Sequence, residues 1–181
     1  MLETNSQQAV LAFVEAAAGF DIQCFVSEMW REAEKSTGSR VDSFFVEDGT
    51  FVIDGMVEAA GRNAIRKVGA YREELGRQQG GARHSRHLMS NYCFDYSALD
   101  AEGRVTGQAV MTHFGGSGEP PLQLTGPLGI YDVRIVIEKQ AEKRWLLRSL
   151  YMRPIFVAAD HPTRDMPKSY SHPGAEDEHQ S

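Results

Sequence analysis

The chain has 181 residues, 41% of them apolar and 24% charged, the composition of one globular domain able to bury a core without disulfide or metal staples. Its 19 Lys and Arg against 25 Asp and Glu give a formal net charge of −6, which argues against nucleic acid or an anionic membrane surface as partner. The polar start MLETNSQQ lacks the basic and apolar regions of a signal peptide, and Glu15 interrupts the longest apolar run. A cytoplasmic protein with no membrane span is therefore expected. Cys24 and Cys93 are predicted to be small buried hydrophobes in a reducing compartment rather than a disulfide.

Val10, Phe13, Val14 and Ala17 repeat at helical spacing, which predicts an amphipathic helix ending near Gly19. Asp21 suits the N-cap of a second helix that buries Ile22, Phe25, Val26, Met29, Trp30 and Ala33 on one stripe. Turn formers at Ser36–Ser39 stop it, and a short helical turn over 40–45 leads into a strand at Thr50–Ile53. Gly61 opens a third helix with Ala64, Val68, Tyr71 and Leu75 facing inward. From there the texture is β, with strands expected at His84–Tyr96, Arg104–Phe114, Leu128–Lys139 and Arg144–Arg153. The Gly- and Pro-rich stretch 115–121 reads as an exposed loop, and Pro154 as the end of the last strand.

Past Val157 the chain is polar and proline-punctuated, too poor in apolar residues to order itself. Three parts follow: an extra N-terminal helix over 1–20, a main domain over 21–157, and a disordered tail over 158–181. The tail takes His161, His172 and His179 with it, leaving His84, His87 and His113 for any site in the body. Helices first and long hairpins after give an α+β fold, a curved antiparallel sheet wrapped around helices with a pocket at its mouth.

The stretch Arg86-His87-Leu88-Met89-Ser90-Asn91 carries the most chemistry. Strand alternation points His87 and Asn91 the same way. A histidine moves protons near neutral pH when a second group fixes its tautomer, and Glu34 at the end of the second helix is a candidate for that group. His87 also suits a core histidine bonded to Asn91 or a backbone carbonyl, and Glu34 a solvated helix end. His84 and His87 make H-x-x-H, but on a strand they face opposite ways and no carboxylate or Cys completes a set, so no metal site is expected. Arg62, Arg66, Lys67, Arg72, Arg77, Arg83 and Arg86 read as a solvated basic face. His113 lies on the partner strand of His87, in a register the sequence leaves open. Trp30 and Met89 are read as core or pocket lining.

Six segments in order resemble the SnoaL-like branch of the nuclear-transport-factor-2-like superfamily, a cone-shaped α+β fold: IQCFVSEMWREAEK (22–35), FFVEDGTFVIDG (44–55), AAGRNAIRK (59–67), RHLMSN (86–91), GIYDVRIVIEK (129–139) and RWLLRSLYMR (144–153). Within it the chain looks most like the dehydratase and dehydrochlorinase group, which resembles scytalone dehydratase. Those enzymes use a strand His as general base, held by an Asp near the end of the first cone helix. The matching positions are His87 and Glu34, with Glu one methylene longer than the family's Asp. The related dehydrochlorinases have an Arg where this chain has Leu150. The resemblance implies a cofactor-independent lyase or isomerase acting on a small apolar organic ligand through His87 and Glu34. Asn91, Tyr131 or His113 would polarise a carbonyl or assist a leaving group. It also implies a homodimer paired through the outer sheet face. The competing reading is a non-catalytic binding or structural subunit of the same fold, like the β chains of ring-hydroxylating dioxygenases. An epoxide hydrolase of this fold ranks below both, for want of an Asp-Arg-Asp set.

Overall fold

A computed structural model describes residues 2–78, 83–123, 126–141, 145–159, 161 and 168–170. The elements run α1 (Leu2–Ala33), a 3-10 turn (Val41–Phe44), β1 (Phe45–Ile53), β2 (Val57–Ala60), α2 (Arg62–Gln78), β3 (Arg83–Asp95) and α3 (Leu99–Glu102), then β4 (Arg104–Ser117), β5 (Gly129–Lys139), β6 (Trp145–Val157) and β7 (Ser169–Tyr170). They form an α+β fold around one seven-stranded sheet of order β3-β4-β5-β6-β1-β2-β7. The strand directions are mixed rather than wholly antiparallel: β1 runs parallel to β6 and β2 parallel to β7. The inner sheet face and the buried stripes of α1 and α2 share one core, including Ile22, Val26, Phe45, Ile65, Ile137 and Leu147. Each such side chain contributes about 1.5–3 kcal/mol by leaving water.

The two expected N-terminal helices are one. Gly19 does not cap a helix; it lies inside α1 where a Cβ would run into the Tyr96 hydroxyl, so the glycine there provides a close approach. Only the second half of α1 joins the core. Residues 7–17 are exposed, and Phe13 keeps 76% and Phe20 68% of its surface open. The predicted apolar stripe of that half thus has nothing against it among the described residues. The segment Gln7–Ala33 is also long and apolar enough by composition to cross a membrane, against the expectation that no stretch approaches that length. Its Ile22, Val26, Met29, Trp30 and Ala33 are nonetheless buried in this fold.

Strand ends shift for local reasons. The last strand passes through Pro154 because its pairing with β1 stops at Ile53 and Met152. Beyond that point a missing N–H on the β1 side removes no ladder bond. β4 likewise continues to Ser117, pairing with Arg83 across what the sequence reads as a loop.

One irregularity decides which side chains face inward. In the β3–β4 ladder Cys93 faces Gln108, but Ser90 faces Val110, so two residues of β3 oppose one of β4. Asn91 occupies this bulge at φ 55°, a left-handed conformation that Asn tolerates better than most side chains. The alternation changes phase there: Tyr92 and Phe94 are partly buried after the bulge, Ser85 is buried and His87 and Met89 are partly buried before it, and Ser90 and Asn91 are both exposed. Asn91 therefore does not share the face of His87. Cys93 is exposed for the same reason, and Cys24 is exposed on α1; both are free thiols, not buried hydrophobes. The predicted tail falls mostly outside the described residues, but within it Ser169–Tyr170 pair with Glu58–Ala59 of β2.

Candidate active site

Glu34 follows the last residue of α1 and its N–H still donates to Trp30 O at 2.9 Å, so the helix end aims the carboxylate at β3. One oxygen, Oε1, accepts two bonds from His87: the backbone N–H at 2.6 Å and the ring Nδ1 at 3.3 Å. The other lies 3.6 Å from the exposed Arg86 guanidinium. The ring contact sits at the loose end of the hydrogen-bond range, as is common before a substrate tightens a site. A carboxylate on Nδ1 selects the tautomer with its proton on Nδ1 and leaves Nε2 with a free lone pair.

The ring of His87 is held between two others. Trp30, one helical turn before Glu34, stacks on it at 4.2 Å between centroids and 19° between planes. His113 stacks at 4.6 Å and 3°, because the β3–β4 register places His87 and His113 directly opposite. Burial, reinforced by Arg72, Arg83, Arg86 and His161, pushes the His87 pKa well below the ordinary histidine value, so the ring is held neutral. Burial first, and then His87 and Arg72, lower His113 in the same way. His113 Nε2 and Trp30 Nε1 are buried without a hydrogen-bond partner among the described residues.

These side chains border a cavity lined largely by apolar groups, among them Met29, Phe45, Val68, Met111, Leu150 and Met152. Its volume is about 90 Å³. Tyr131 lines it from β5, its ring packed where Gly129 leaves space: a Cβ at 129 would lie 2.6 Å from that ring. The Tyr131 hydroxyl meets His161 Nε2 at 2.8 Å, and burial pushes the phenol up to about 12. His161 stands edge-on to His113, with centroids 5.5 Å apart.

A model of the SnoaL-like domain family matches residues 15–151. The chain belongs to the SnoaL-like domain family. No curated protein matches it in sequence. Among solved structures, this SnoaL-like protein is similar to one from Catenulispora acidiphila in complex with S-DNPA (20% identity, TM-score 0.61, covering 77% of this chain and 94% of that one). A candidate scytalone dehydratase from Novosphingobium aromaticivorans superposes with TM-score 0.56 at 15% identity, over 78% of this chain and 87% of that one. The β subunit of the benzoate 1,2-dioxygenase from Burkholderia mallei does so with TM-score 0.57 at 13% identity, over 78% and 95%. At these identities the likeness is one of fold.

Of the residues singled out in the sequence, the SnoaL-like fold brings His87, Glu34, Trp30, His113 and Tyr131 to one place. Asn91 is turned out by the bulge. Met89 does not line the cavity; it borders a shallow depression on the other side of the Glu34–His87 contact, with Gln23, Arg31 and Tyr92. His161, assigned by sequence to the tail, is 2% exposed and lines the cavity. Its only sequence signal is that it lies four residues past the last apolar strand residue. Arg72, read as part of a solvated basic face, also lines the cavity. It follows Val68 by one helical turn and so falls on the inward stripe of α2, a signal the sequence did carry.

Proposed function

We propose that this protein is a small-molecule lyase or isomerase in which His87, held by Glu34, removes a proton from a ligand in the apolar cavity. The observation that carries this reading is the Glu34 contact to Nδ1 of a histidine that lines the cavity. A neutral imidazole with Nδ1 committed to a carboxylate is a general base at Nε2, and Glu34 stabilises the imidazolium as it forms. The proton taken would come from carbon next to an electron-withdrawing group. The charge left on the substrate oxygen would be met by a neutral donor, His113 or the Tyr131 hydroxyl. His87 then returns the proton, either to a leaving group, which completes an elimination, or to a different carbon, which completes an isomerisation. Stacking of Trp30 and His113 on the two faces of the base fixes its plane, so little reorientation is required during transfer.

Pairing of two copies through the outer face of the sheet belongs to the same reading. The test is proton exchange. The full chain is incubated in D2O with a panel of one- and two-ring β-hydroxy and β-halo carbonyl compounds, and loss of the α-proton signal is followed by NMR. Exchange catalysed by the wild type and abolished in His87→Gln supports the base. Tight binding of panel members with no exchange at any pH between 6 and 9 would instead favour the non-catalytic binding reading.

A further inference from the structure

His161 is a buried titratable side chain for which proton removal by His87 has no use. It lies beyond the segment that the family model matches, where the chain folds back after β6. Leu128 is the joint that brings it in: its N–H donates to His113 O at 2.7 Å, and its carbonyl accepts the Ala158 N–H at 2.8 Å. The His161 N–H then donates to Ala158 O at 3.2 Å, which closes a turn. Next to Leu128, Gly129 leaves the space that the Tyr131 ring occupies. Tyr131 and His161, 1% and 2% exposed, therefore share the cavity wall with the hydroxyl 2.8 Å from Nε2. The rings of His87, His113, His161 and Tyr131 follow one another at centroid distances of 4.6, 5.5 and 6.2 Å.

A tyrosine hydroxyl has one proton to give and two lone pairs. If that proton goes to His161 Nε2, the hydroxyl offers the cavity an acceptor only. A carbonyl or enolate oxygen is itself an acceptor and gains nothing from it. Both contacts are served when His161 Nε2–H donates to Tyr131 and the Tyr131 O–H donates to the ligand, each bond polarising the next. We propose that His161 is the positioning residue that sets Tyr131 in this sense, so that Tyr131, rather than His113, is the hydrogen-bond donor to the ligand oxygen. The inference rests on the cavity being the ligand site of the proposed function, and on the donor that reading needs at the oxygen. Burial pushes the Tyr131 phenol up to about 12, so the proton stays on Tyr131 and is shared rather than transferred. The ligand class narrows with it: a ketone or its enolate fits this wall, whereas an ammonium, which brings only donors, does not.

The test titrates two probes into the full chain by calorimetry: 4-nitrophenol at pH 9, where its oxygen is charged, and nitrobenzene, which lacks that oxygen. Wild type should bind nitrophenolate 1:1 and at least about tenfold tighter than nitrobenzene. Tyr131→Phe removes the hydroxyl alone; it should weaken nitrophenolate about tenfold and leave nitrobenzene within about twofold. His161→Leu fills the buried space but removes the donor behind Tyr131, and should weaken nitrophenolate about fivefold. His161→Gln, whose amide N–H can take the place of Nε2–H, should restore most of that loss. Were His161 packing only, the order of the last two would reverse. The tautomer is read directly by 15N NMR of the wild type with nitrophenolate bound, which needs no variant to fold. A proton on His161 Nε2 is expected, and a bare Nε2 overturns the assignment. Equal affinity for the two probes, no nitrophenolate binding at millimolar concentration, a Tyr131→Phe protein that binds as wild type, or His161→Leu binding as tightly as His161→Gln also overturns it. Proton exchange on the same proteins separates the two ideas. If the catalytic reading alone is wrong, neither wild type nor any variant exchanges protons, yet the nitrophenolate preference still depends on Tyr131 and His161.

Discussion

The imidazole of His113 lies parallel to that of His87, 4.6 Å away and within 3° of coplanar orientation. Two rings stacked this closely in a buried site cannot both carry a proton without strong repulsion, and both are held below the ordinary histidine pKa. Both rings are thus held neutral, with arginines close by.

The Glu34–His87 contact has separable structural and chemical parts. Glu34→Ala strips the acceptor from the His87 backbone N–H as well as from the ring, and should cost about 1–3 kcal/mol in a urea melt. Glu34→Gln keeps a carbonyl acceptor for the backbone N–H and should cost less than about 1 kcal/mol. It nevertheless removes the charge that stabilises the imidazolium, so proton exchange should fall by about 10²–10⁴. A Glu34→Gln protein with normal exchange would show that the carboxylate is structural.

The pH dependence follows from the direction of the histidine shifts. With folded-state pKa values below the unfolded value near 6.5, the native state binds fewer protons than the unfolded chain as pH falls through that value. The stabilisation is complete above about pH 6.5 and is lost progressively below it, towards the depressed folded values. If both rings contribute, the slope reaches at most about 2.7 kcal/mol per pH unit. Urea midpoints at pH 7.5, 6.5 and 5.5 measure it. A slope unchanged in His113→Gln would remove that ring from the account.

Arginine charge acts on the His87 ring in the same direction. Removing Arg83 takes away a cation that disfavours the imidazolium, so the His87 pKa should rise in Arg83→Gln. An NMR titration of the ring carbon and nitrogen shifts reads this with no substrate present. A fall in the pKa, or no movement, contradicts the assignment.

Asn91 supplies a backbone conformation and no side chain to the cavity. Asn91→Gly should leave stability within about 0.5 kcal/mol, whereas Asn91→Val should cost about 1–2 kcal/mol. In both variants that fold, proton exchange should match wild type within about twofold.

The first half of α1 can be removed. Residues 7–17 are exposed, so a chain starting at Glu15 should melt within a few degrees of the full one and retain the circular dichroism of the sheet. A drop of more than about 1 kcal/mol would mean that this half is covered in solution.

The elements with strong apolar period were legible from sequence: the Ile22-to-Ala33 stripe, α2, and the alternation of Tyr131, Val133, Ile135 and Ile137, which are buried on one face. Glu34 and His87 were reachable through their place in a six-segment family pattern. Three things were not. His161 is buried through a few residues of otherwise polar chain, where no periodicity exists to read. Arg72 sits on an inward stripe, but its charge outweighed its position in a reading based on composition. Asn91 and Cys93 were placed by strict alternation, which holds only while a strand is regular. A bulge is a property of two strands pairing, so neither strand alone announces it.

That extra residue in β3 sets the phase of the strand that carries His87. After the bulge, paired residue numbers sum to 201, as in Cys93–Gln108; before it they sum to 200, as in His87–His113. Carry the first register through with Asn91 kept but no bulge, and Leu88 comes opposite His113, Arg86 and Leu88 turn inward, and His87 faces solvent. Loss of Asn91 itself would only regularise the ladder, with Tyr92 opposite Ala109, Ser90 still opposite Val110 and His87 still opposite His113. The bulge is thus a phase correction: it lets His87 and Tyr92, an odd number of residues apart, both turn inward.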